Sequence, residues 1–283
     1  MNILKWTPEL SERFWRDLGG SEFLANIAFS RFAAPFLVDL VEKHLKREGS
    51  ILDFGAGHNL YLVRELLSRE LRVGYYEPNV APDRNPQNLE CTDGSFLGAV
   101  SELEPDKYDC VFFSEVIEHL FDDQRPGVMT ALARTLKPGG ILIVTTPDQE
   151  DLMGAARYCP ICKHLFHPWG HVRSFSPNEL EALLSDYGLR CEELHSVDFS
   201  ETREPLEELK ELKRRIAGMV AELRGLQQQK SVFAAPNVTR ALGKYIELFG
   251  DIGGLDAAED PKHRHIGFGG TLVAVARKHE ISE

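Results

Sequence analysis

The sequence predicts an α/β protein built on a doubly wound, largely parallel β-sheet. Short apolar runs that end in glycine or turn residues recur along the chain, and segments with helical spacing separate most of them. Strands that alternate with helices favour parallel crossover connections, which place helices on both faces of the sheet. Ligands of such sheets bind beyond the carboxyl ends of the strands, so functional residues are expected there.

The elements follow one another clearly along the chain. Residues 1–48 predict an N-terminal helical cap, and residues 49–283 predict the sheet domain. A helix with a capping box begins at Ser176 and ends before Gly188. Residues 200–263 predict a helical insertion with one apolar seam, which we interpret as a hairpin over one end of the sheet, a substrate lid or a homodimer contact. The seven predicted strands are "SILDFGAG", "LRVGYYEPN", "NLECTDG", "YDCVFFSEV", "GGILIVTTP", "RCEELHSVDF" and "GGTLVAVARK".

Composition excludes several classes of protein. With 283 residues, 43% hydrophobic and 27% charged, the chain has the balance of a globular protein with a large core. A net charge of −12 argues against binding to phosphate backbones or anionic membranes. Because the sequence has neither a signal-peptide pattern nor about 18 consecutive apolar residues, we expect a cytoplasmic protein without a membrane partner. Five cysteines, an odd number, do not form a disulfide framework.

A glycine-rich turn follows the first predicted strand. Gly55 and Gly57 in "DFGAGHN" allow a positive φ and a close approach of the backbone to a ligand, and the next helix presents its N-terminal amides to an anionic group. Glu77 ends the second strand, where a carboxylate can accept both hydroxyl groups of a ribose; the alternative is an exposed acid. A dinucleotide-binding enzyme shares both features, but Leu60 stands where its third glycine is required.

The ordered motifs "ILDFGAGHN", "TDG", "YDCVFFSEVIEHL", "LKPGGILIVTTP" and "GGTLVAVARK", with the acid at Glu77, resemble those of class I S-adenosylmethionine-dependent methyltransferases. The resemblance covers residues from about 50 to 198 and from 264 to 279. It implies a Rossmann-like seven-stranded sheet whose last strand is antiparallel, and S-adenosyl-L-methionine as the cofactor. The implied binding residues are Asp53, Gly55 and Gly57 for the methionine part, Glu77 for the ribose, Asp93 for the adenine, and Ser114 with Glu115 near the sulfonium.

The run "SEVIEH" after the fourth strand supplies candidates for catalysis. Glu115, Glu118 and His119 share one face if the segment is helical, and His119 could act as a general base. Alternatively, the two acids complement a helix N-terminus and His119 packs against the loop. Similar runs in small-RNA 2′-O-methyltransferases and ubiquinone-pathway O-methyltransferases bind a divalent metal. The resemblance therefore also allows a metal set of Glu115, Glu118, His119 and His171.

The segment 157–173 contains "YCPICKHLFHPWGH", which is dense in metal-binding residue types. Two thiolates and two imidazoles are the ligand types of a tetrahedral structural zinc site. The candidate ligands are Cys159, Cys162, His167 and His171, with His164 as a spare. A reducible Cys-x-x-Cys pair and an ordinary loop are the alternatives. Because the segment follows the fifth strand, we expect a flap over the acceptor pocket, which zinc would fold.

These features together predict methyl transfer from S-adenosylmethionine to a small-molecule acceptor, with a hydroxyl oxygen favoured by the run of acids and histidine. One alternative is a methyltransferase-like protein that binds the cofactor without turnover, and another is an RNA 2′-O-methyltransferase. The sequence has no stripe rich in lysine and arginine, which argues against nucleic acid as the partner.

Overall fold

The computed structural model describes residues 2–19, 21–45, 49–78, 100, 103–199 and 270–279. The third predicted strand and the predicted helical insertion, residues 200–263, lie outside the described residues. The described helices are α1 (Pro8–Leu18), α2 (Glu22–Ile27), α3 (Phe29–His44), α4 (Tyr61–Ser68), α5 (Arg125–Thr135) and α6 (Pro177–Asp186). The described strands are β1 (Asn2–Ile3), β2 (Ser50–Phe54), β3 (Arg72–Tyr76), β4 (Tyr108–Ser114), β5 (Leu136–Pro147), β6 (Arg157–Tyr158), β7 (His164–Phe166), β8 (Leu189–Val197) and β9 (Thr271–Lys278).

The main sheet has six described strands in the order β3-β2-β4-β5-β9-β8. Strands β3, β2, β4 and β5 pair in parallel, whereas β9 lies antiparallel between β5 and β8. The strand order reverses between β2 and β4, which is the position where a doubly wound sheet opens a crevice. The predicted Rossmann-like sheet with an antiparallel last strand is therefore confirmed.

Helices cover both faces of the sheet. Neighbouring residues of each strand point to opposite faces, so each strand contributes side chains to both cores. Ile51 of β2 belongs to the core that contains α3 and α4, and Leu52 belongs to the core with α5 and α6. Both side chains are almost completely buried. Each such burial stabilises the fold by roughly 1.5–3 kcal/mol, so the two cores fix the positions of the strand ends.

The segment Glu22–His44 is long and apolar enough, by length and composition alone, to cross a membrane. The segment still has no run of about 18 consecutive apolar residues, since Ser30, Arg31 and Asp39 interrupt it. Four residues of α3 explain the composition, since Ala33, Leu37, Val38 and Val41 are at most 1% exposed within the first core. A helix with one buried apolar face passes the same test as a membrane span, so the segment is weak evidence for a membrane partner.

A second, small sheet joins the N-terminus to the segment 157–173 that was predicted to be a flap. Its strand order is β1-β7-β6, with β1 parallel to β7 and β6 antiparallel to it. Trp6 then lies against Gly170, where a side chain would approach the indole ring to 3.4 Å. Gly170 also has a positive φ of +76°, which favours glycine. The first residues of the chain thus hold one side of this flap.

Candidate active site

A cleft of about 1580 Å³ opens beyond the carboxyl ends of the parallel strands. Typical small-molecule sites occupy roughly 300–1,000 Å³, so this cleft has room for two ligands side by side. Its lining includes the glycine-rich turn after β2, Trp15 of α1, and Trp169 and His171 of the flap. The N-terminal helix and the flap therefore form walls of the cleft that the sheet alone would leave open.

The turn after β2 is shaped by two glycines in the left-handed region. Gly55 has a φ of +88°, and a side chain there would lie 2.4 Å from Val116 Cγ2. Gly57 has a φ of +66° with open space around it. The backbone N–H of Gly57 donates a hydrogen bond of 2.9 Å to Glu77 Oε2. The predicted ribose-binding acid and the predicted glycine turn are therefore brought together, with room beside Gly57 for a ligand.

Two predicted cofactor residues leave buried polar atoms without a partner among the described residues: Asp53 Oδ2 and Ser114 Oγ. Burial, together with the nearby charge of Glu77, raises the pKa of Asp53 to about 7. A buried polar atom without a hydrogen bond costs about 1–3 kcal/mol, which a polar ligand can recover. The residues therefore fit the polar part of S-adenosylmethionine. Asp93, the predicted adenine-binding residue, lies outside the described residues.

Glu115 closes the floor of the cleft directly after β4. Its backbone has a positive φ of +53°, and its N–H donates to the carbonyl of Thr145. The hydroxyl of Thr145 donates in turn to Glu115 Oε1 at 2.9 Å. Burial raises the pKa of Glu115 to about 7, so its charge responds to any cation that binds beside it. The structure thus places this predicted residue in the cleft.

Glu118 and His119 lie in a short 3₁₀ turn, Ile117–His119, instead of the α-helix on which they were predicted to share a face with Glu115. Glu118 is fully buried and accepts a hydrogen bond from the hydroxyl of Thr146. Burial raises its pKa well above the usual value for a glutamic acid. His119 lines the cleft, and burial and the neighbouring His171 lower its pKa to about 3. An imidazole of such low basicity is a poor proton acceptor.

The structure does not bring the four predicted zinc ligands together. Cys159 and Cys162 lie in the turn between β6 and β7, where the N–H of Lys163 donates to the Cys159 carbonyl. In the described part of the chain, neither cysteine belongs to a group of three or more His, Cys, Asp or Glu ligand atoms within 4.8 Å. The spare ligand, His164, contacts the carbonyl of Cys162. The two thiols lie at the tip of the hairpin formed by β6 and β7, whereas His167 and His171 follow β7 at the base of that hairpin.

The second predicted metal set is only partly assembled. Ligand atoms of Glu118, His119 and His171 lie within 4.8 Å of one another, but Glu115 is outside this group. A metal ligand must be deprotonated, whereas burial raises the pKa of Glu118 well above its usual value and so disfavours its anionic form. The remaining donors are two imidazoles, of which His171 already contacts Glu150 through Nδ1. As arranged, these residues do not fit a divalent cation.

Glu150 is a site residue that the sequence interpretation missed. Its two carboxylate oxygens contact His167 Nε2 at 3.0 Å and His171 Nδ1 at 2.5 Å. Although burial alone would raise its pKa, the hydrogen bonds from the two histidines lower it to about 2. The available signal was the acid's position soon after the fifth strand, in "TTPDQEDL". Glu150 and His171 both line the cleft.

Comparisons with known proteins agree with this geometry. The family described as "Methyltransferase domain" matches residues 25–194. The ubiquinone biosynthesis O-methyltransferase of Parvibaculum lavamentivorans is 27% identical over 119 residues, which are 40% of this chain and 44% of that protein. A protein of Mycolicibacterium smegmatis, named as a probable S-adenosylmethionine-dependent methyltransferase, is 28% identical over 183 residues, or 64% of this chain and 63% of that one. The matches thus span less than two thirds of either relative.

Two solved structures share the fold. A Burkholderia thailandensis 1,6-didemethyltoxoflavin-N1-methyltransferase, with bound 1,6-didemethyltoxoflavin and S-adenosylhomocysteine, has a TM-score of 0.55 at 15% identity. That comparison covers 99% of this chain and 94% of that chain. The Haemonchus contortus phosphoethanolamine N-methyltransferase 2 with S-adenosyl-L-methionine has a TM-score of 0.50 at 15% identity, covering 95% of this chain and 60% of that one.

Proposed function

The chain belongs to the methyltransferase domain family, and we propose that it transfers a methyl group from S-adenosylmethionine to a small-molecule acceptor, favouring a hydroxyl oxygen. The observation that carries this proposal is the cleft at the carboxyl end of the sheet. There, the glycine turn, Glu77 and the unpartnered atoms of Asp53 and Ser114 face one space. The family resemblance expected from the motifs is confirmed by the family match, whereas the acceptor is our inference.

We infer that the half of the cleft next to β2 and β3 holds the donor. Glu77 would accept the ribose hydroxyl groups, and Asp53 with Ser114 would bind the polar methionine part. The backbone of Gly57 leaves room for close approach. When bound, the donor supplies a methyl group already activated on a sulfonium. The role of the chain is then to align the acceptor with that methyl group, exclude water and receive a proton.

We infer that the other half of the cleft, between α1 and the flap, holds the acceptor. Trp15 and Trp169 offer aromatic surface there. Among the described residues that line the cleft, Arg157 is the single lysine or arginine, whereas carboxylates are abundant. The lining carboxylates are Glu9, Glu12, Asp53, Glu77, Glu115, Asp148, Glu150 and Asp151. Such a surface repels an RNA backbone and favours a neutral or cationic small acceptor.

The donor half is tested by Glu77→Ala. The substitution removes a charged acceptor of two hydrogen bonds, each worth about 1.5–3 kcal/mol, so affinity for S-adenosylhomocysteine should fall at least tenfold. Isothermal titration calorimetry measures this change. Glu181→Ala, on the exposed face of α6, is the matched control and should bind normally. Equal affinities of the two variants would refute the placement of the donor.

The transfer itself is tested by release of S-adenosylhomocysteine from S-adenosylmethionine in the presence of single acceptors. A suitable panel contains catechol, methyl glucoside, benzylamine and a short single-stranded RNA. We expect turnover with a hydroxyl compound and none with the RNA. Tight binding of S-adenosylhomocysteine without turnover on any panel member would instead support the alternative of a cofactor-binding protein. Methylation of the RNA would favour the nucleic-acid alternative.

A further inference from the structure

We propose that His171 accepts the proton of the acceptor and that Glu150 is the residue that positions it. The inference rests on the proposed function and assigns a catalytic residue to the same cleft. The sequence motifs favour His119 as the proton acceptor and His171 as a metal ligand. The hydrogen-bond geometry around Glu150 leads to a different assignment.

One carboxylate oxygen of Glu150, Oε1, contacts His167. The backbone N–H of His171 donates to His167 Nδ1 at 3.1 Å. A backbone N–H can only donate, so Nδ1 of His167 carries no proton. In the neutral imidazole the proton is then on Nε2, which contacts Glu150 Oε1 at 3.0 Å. One oxygen of Glu150 is therefore occupied by a donor whose orientation the backbone determines.

The other carboxylate oxygen of Glu150, Oε2, contacts His171. Its Nδ1 lies 2.5 Å from the other oxygen of Glu150. An ionised carboxylate only accepts hydrogen bonds, so this Nδ1 carries a proton. The lone pair of the neutral His171 ring must then be on Nε2, which has no hydrogen-bond partner among the described residues. Since the tautomer of a histidine is set by the bond that its other nitrogen makes, Glu150 determines which nitrogen can accept a proton.

The ring of His171 is held by its neighbours at the edge of the cleft. His171 lies between the ring of His167, stacked at 4.3 Å, and the ring of His119, edge-on at 4.8 Å. It lines the cleft together with Glu150 and Trp169 of the proposed acceptor half. Glu150 is ionised at neutral pH, because the hydrogen bonds from both histidines outweigh its burial and lower its pKa to about 2. A positive charge formed on His171 would therefore have a fixed counter-charge in contact.

The reaction balances without another reactant. Nε2 of His171 takes the proton of the acceptor hydroxyl, and the oxygen forms a bond to the methyl carbon. The bond between carbon and sulfur breaks, and its electron pair stays on sulfur. The products are a methyl ether, S-adenosylhomocysteine and an imidazolium paired with Glu150, which returns its proton to water.

The tautomer is tested by ¹⁵N NMR of protein labelled at histidine, with S-adenosylhomocysteine bound. We expect the resonances of the neutral His171 ring, assigned with His171→Gln, to show a proton on Nδ1 and none on Nε2. In Glu150→Gln this pattern should be lost or mixed. A neutral His171 ring with its proton on Nε2 in the wild type would overturn the proposal, whether or not any acceptor is methylated.

The rate is tested on the panel member that releases S-adenosylhomocysteine fastest. Positioned proton acceptors contribute about 10²–10⁴-fold, so His171→Gln and Glu150→Gln should lower kcat by at least about 10²-fold. Affinity for S-adenosylhomocysteine and KM for the acceptor should be unchanged.

The matched control for this rate test is Glu193→Gln. Glu193 also contacts two histidines, His44 and His195, but it does not line the cleft. Equal kcat values for Glu150→Gln and Glu193→Gln would overturn the proposal. Absence of S-adenosylhomocysteine binding by the wild-type protein would instead count against the proposed function.

Discussion

The two ends of the parallel sheet differ in whether their polar side chains are hydrogen-bonded within the protein. At the amino end, Asp109 of β4 accepts hydrogen bonds from the N–H and hydroxyl of Ser50 and from Lys137. At the carboxyl end of the same strand, Ser114 Oγ is buried without a partner among the described residues. Strand β2 shows the same contrast, since Ser50 begins it with its side chain bonded and Asp53 near its end leaves Oδ2 unpartnered.

This difference separates residues that stabilise the fold from residues that are kept for a ligand. Buried polar atoms are normally satisfied, because leaving one unpaired costs about 1–3 kcal/mol. Five buried side-chain atoms without partners occur in the described part of the chain, and four belong to Asp53, Ser114, Glu118 and His119, at or just after the carboxyl ends of β2 and β4. The buried polar atoms without partners are therefore concentrated at the carboxyl end of the sheet, where a bound ligand can form hydrogen bonds with them.

The largest expected effect is on Asp53. Its pKa in the folded chain is raised to about 7, because burial disfavours the charged form of the side chain. The contribution of Asp53 to the free energy of unfolding is therefore most favourable below about pH 4, where its side chain is neutral, and decreases as pH rises from about 4 through 7. Asp53→Asn should therefore stabilise the free protein at pH 8 by on the order of 3–4 kcal/mol and weaken cofactor binding. Urea unfolding at pH 8 and pH 4 measures this, and the gain should vanish at the lower pH. A variant less stable than wild type at pH 8 would break the contrast between the two ends.

Asp109 should behave in the opposite way. Although burial alone would raise its pKa, hydrogen bonds from Lys137 and Ser50 lower it. Its stabilising contribution is therefore present above the usual aspartate pKa and is lost as pH falls. Asp109→Asn should destabilise the protein at pH 7 by about 1–3 kcal/mol, with unchanged affinity for S-adenosylhomocysteine. Urea unfolding and calorimetry check the two statements separately, and weaker binding would show that the amino end also serves the ligand.

Glu115 gives a smaller effect that depends on the charge of the ligand. Burial raises its pKa to about 7, so the side chain becomes an anion as pH rises through that value. S-adenosylmethionine carries a sulfonium cation that S-adenosylhomocysteine lacks. The preference for the former should therefore grow by about 1 kcal/mol between pH 6 and pH 8, because one group that titrates near pH 7 changes a binding free energy by at most about 1.4 kcal/mol over that range. Glu115→Gln should remove this pH dependence; a constant affinity ratio in the wild type would place the sulfonium elsewhere.

The smallest expected effect is at Lys278 on β9. Its ammonium group donates to Asp106 at 2.8 Å and to the carbonyl of Leu136 at the amino end of β5. Exposed ion pairs contribute about 0.2–1 kcal/mol, so Lys278→Gln should change the free energy of unfolding by no more than about 1 kcal/mol. Repeating the urea titration at high salt should shrink the difference further. A larger loss would show that the amino end contains a stronger network than its pairs suggest.

Local patterns in the sequence could predict the sheet and the donor half of the cleft. Apolar runs identify β2, β4 and β5, and Gly55, Gly57 and Glu77 follow strands whose ends meet in any doubly wound sheet. The pairing of Glu150 with His167 and His171 could not be predicted, because it requires the flap to fold back onto the loop after β5. The same fold separates Cys159 and Cys162 from the histidines, although their spacing matched a zinc site.

The 3₁₀ turn at Ile117–His119 was also missed, because three residues carry no periodicity that distinguishes it from an α-helix. Asp93 stays a prediction, as does the helical insertion of residues 200–263, since neither lies within the described residues.

The parallel pairing of β1 with β7 has a practical consequence for work on this protein. Asn2 and Ile3 form the outer strand of the flap sheet, so a peptide fused before them would be attached directly to that sheet, beside β7. A purification tag at that end would therefore lie next to the flap, whose Trp169 and His171 line the cleft. Enzymology should therefore use material with an unmodified start or a tag fused after Glu283.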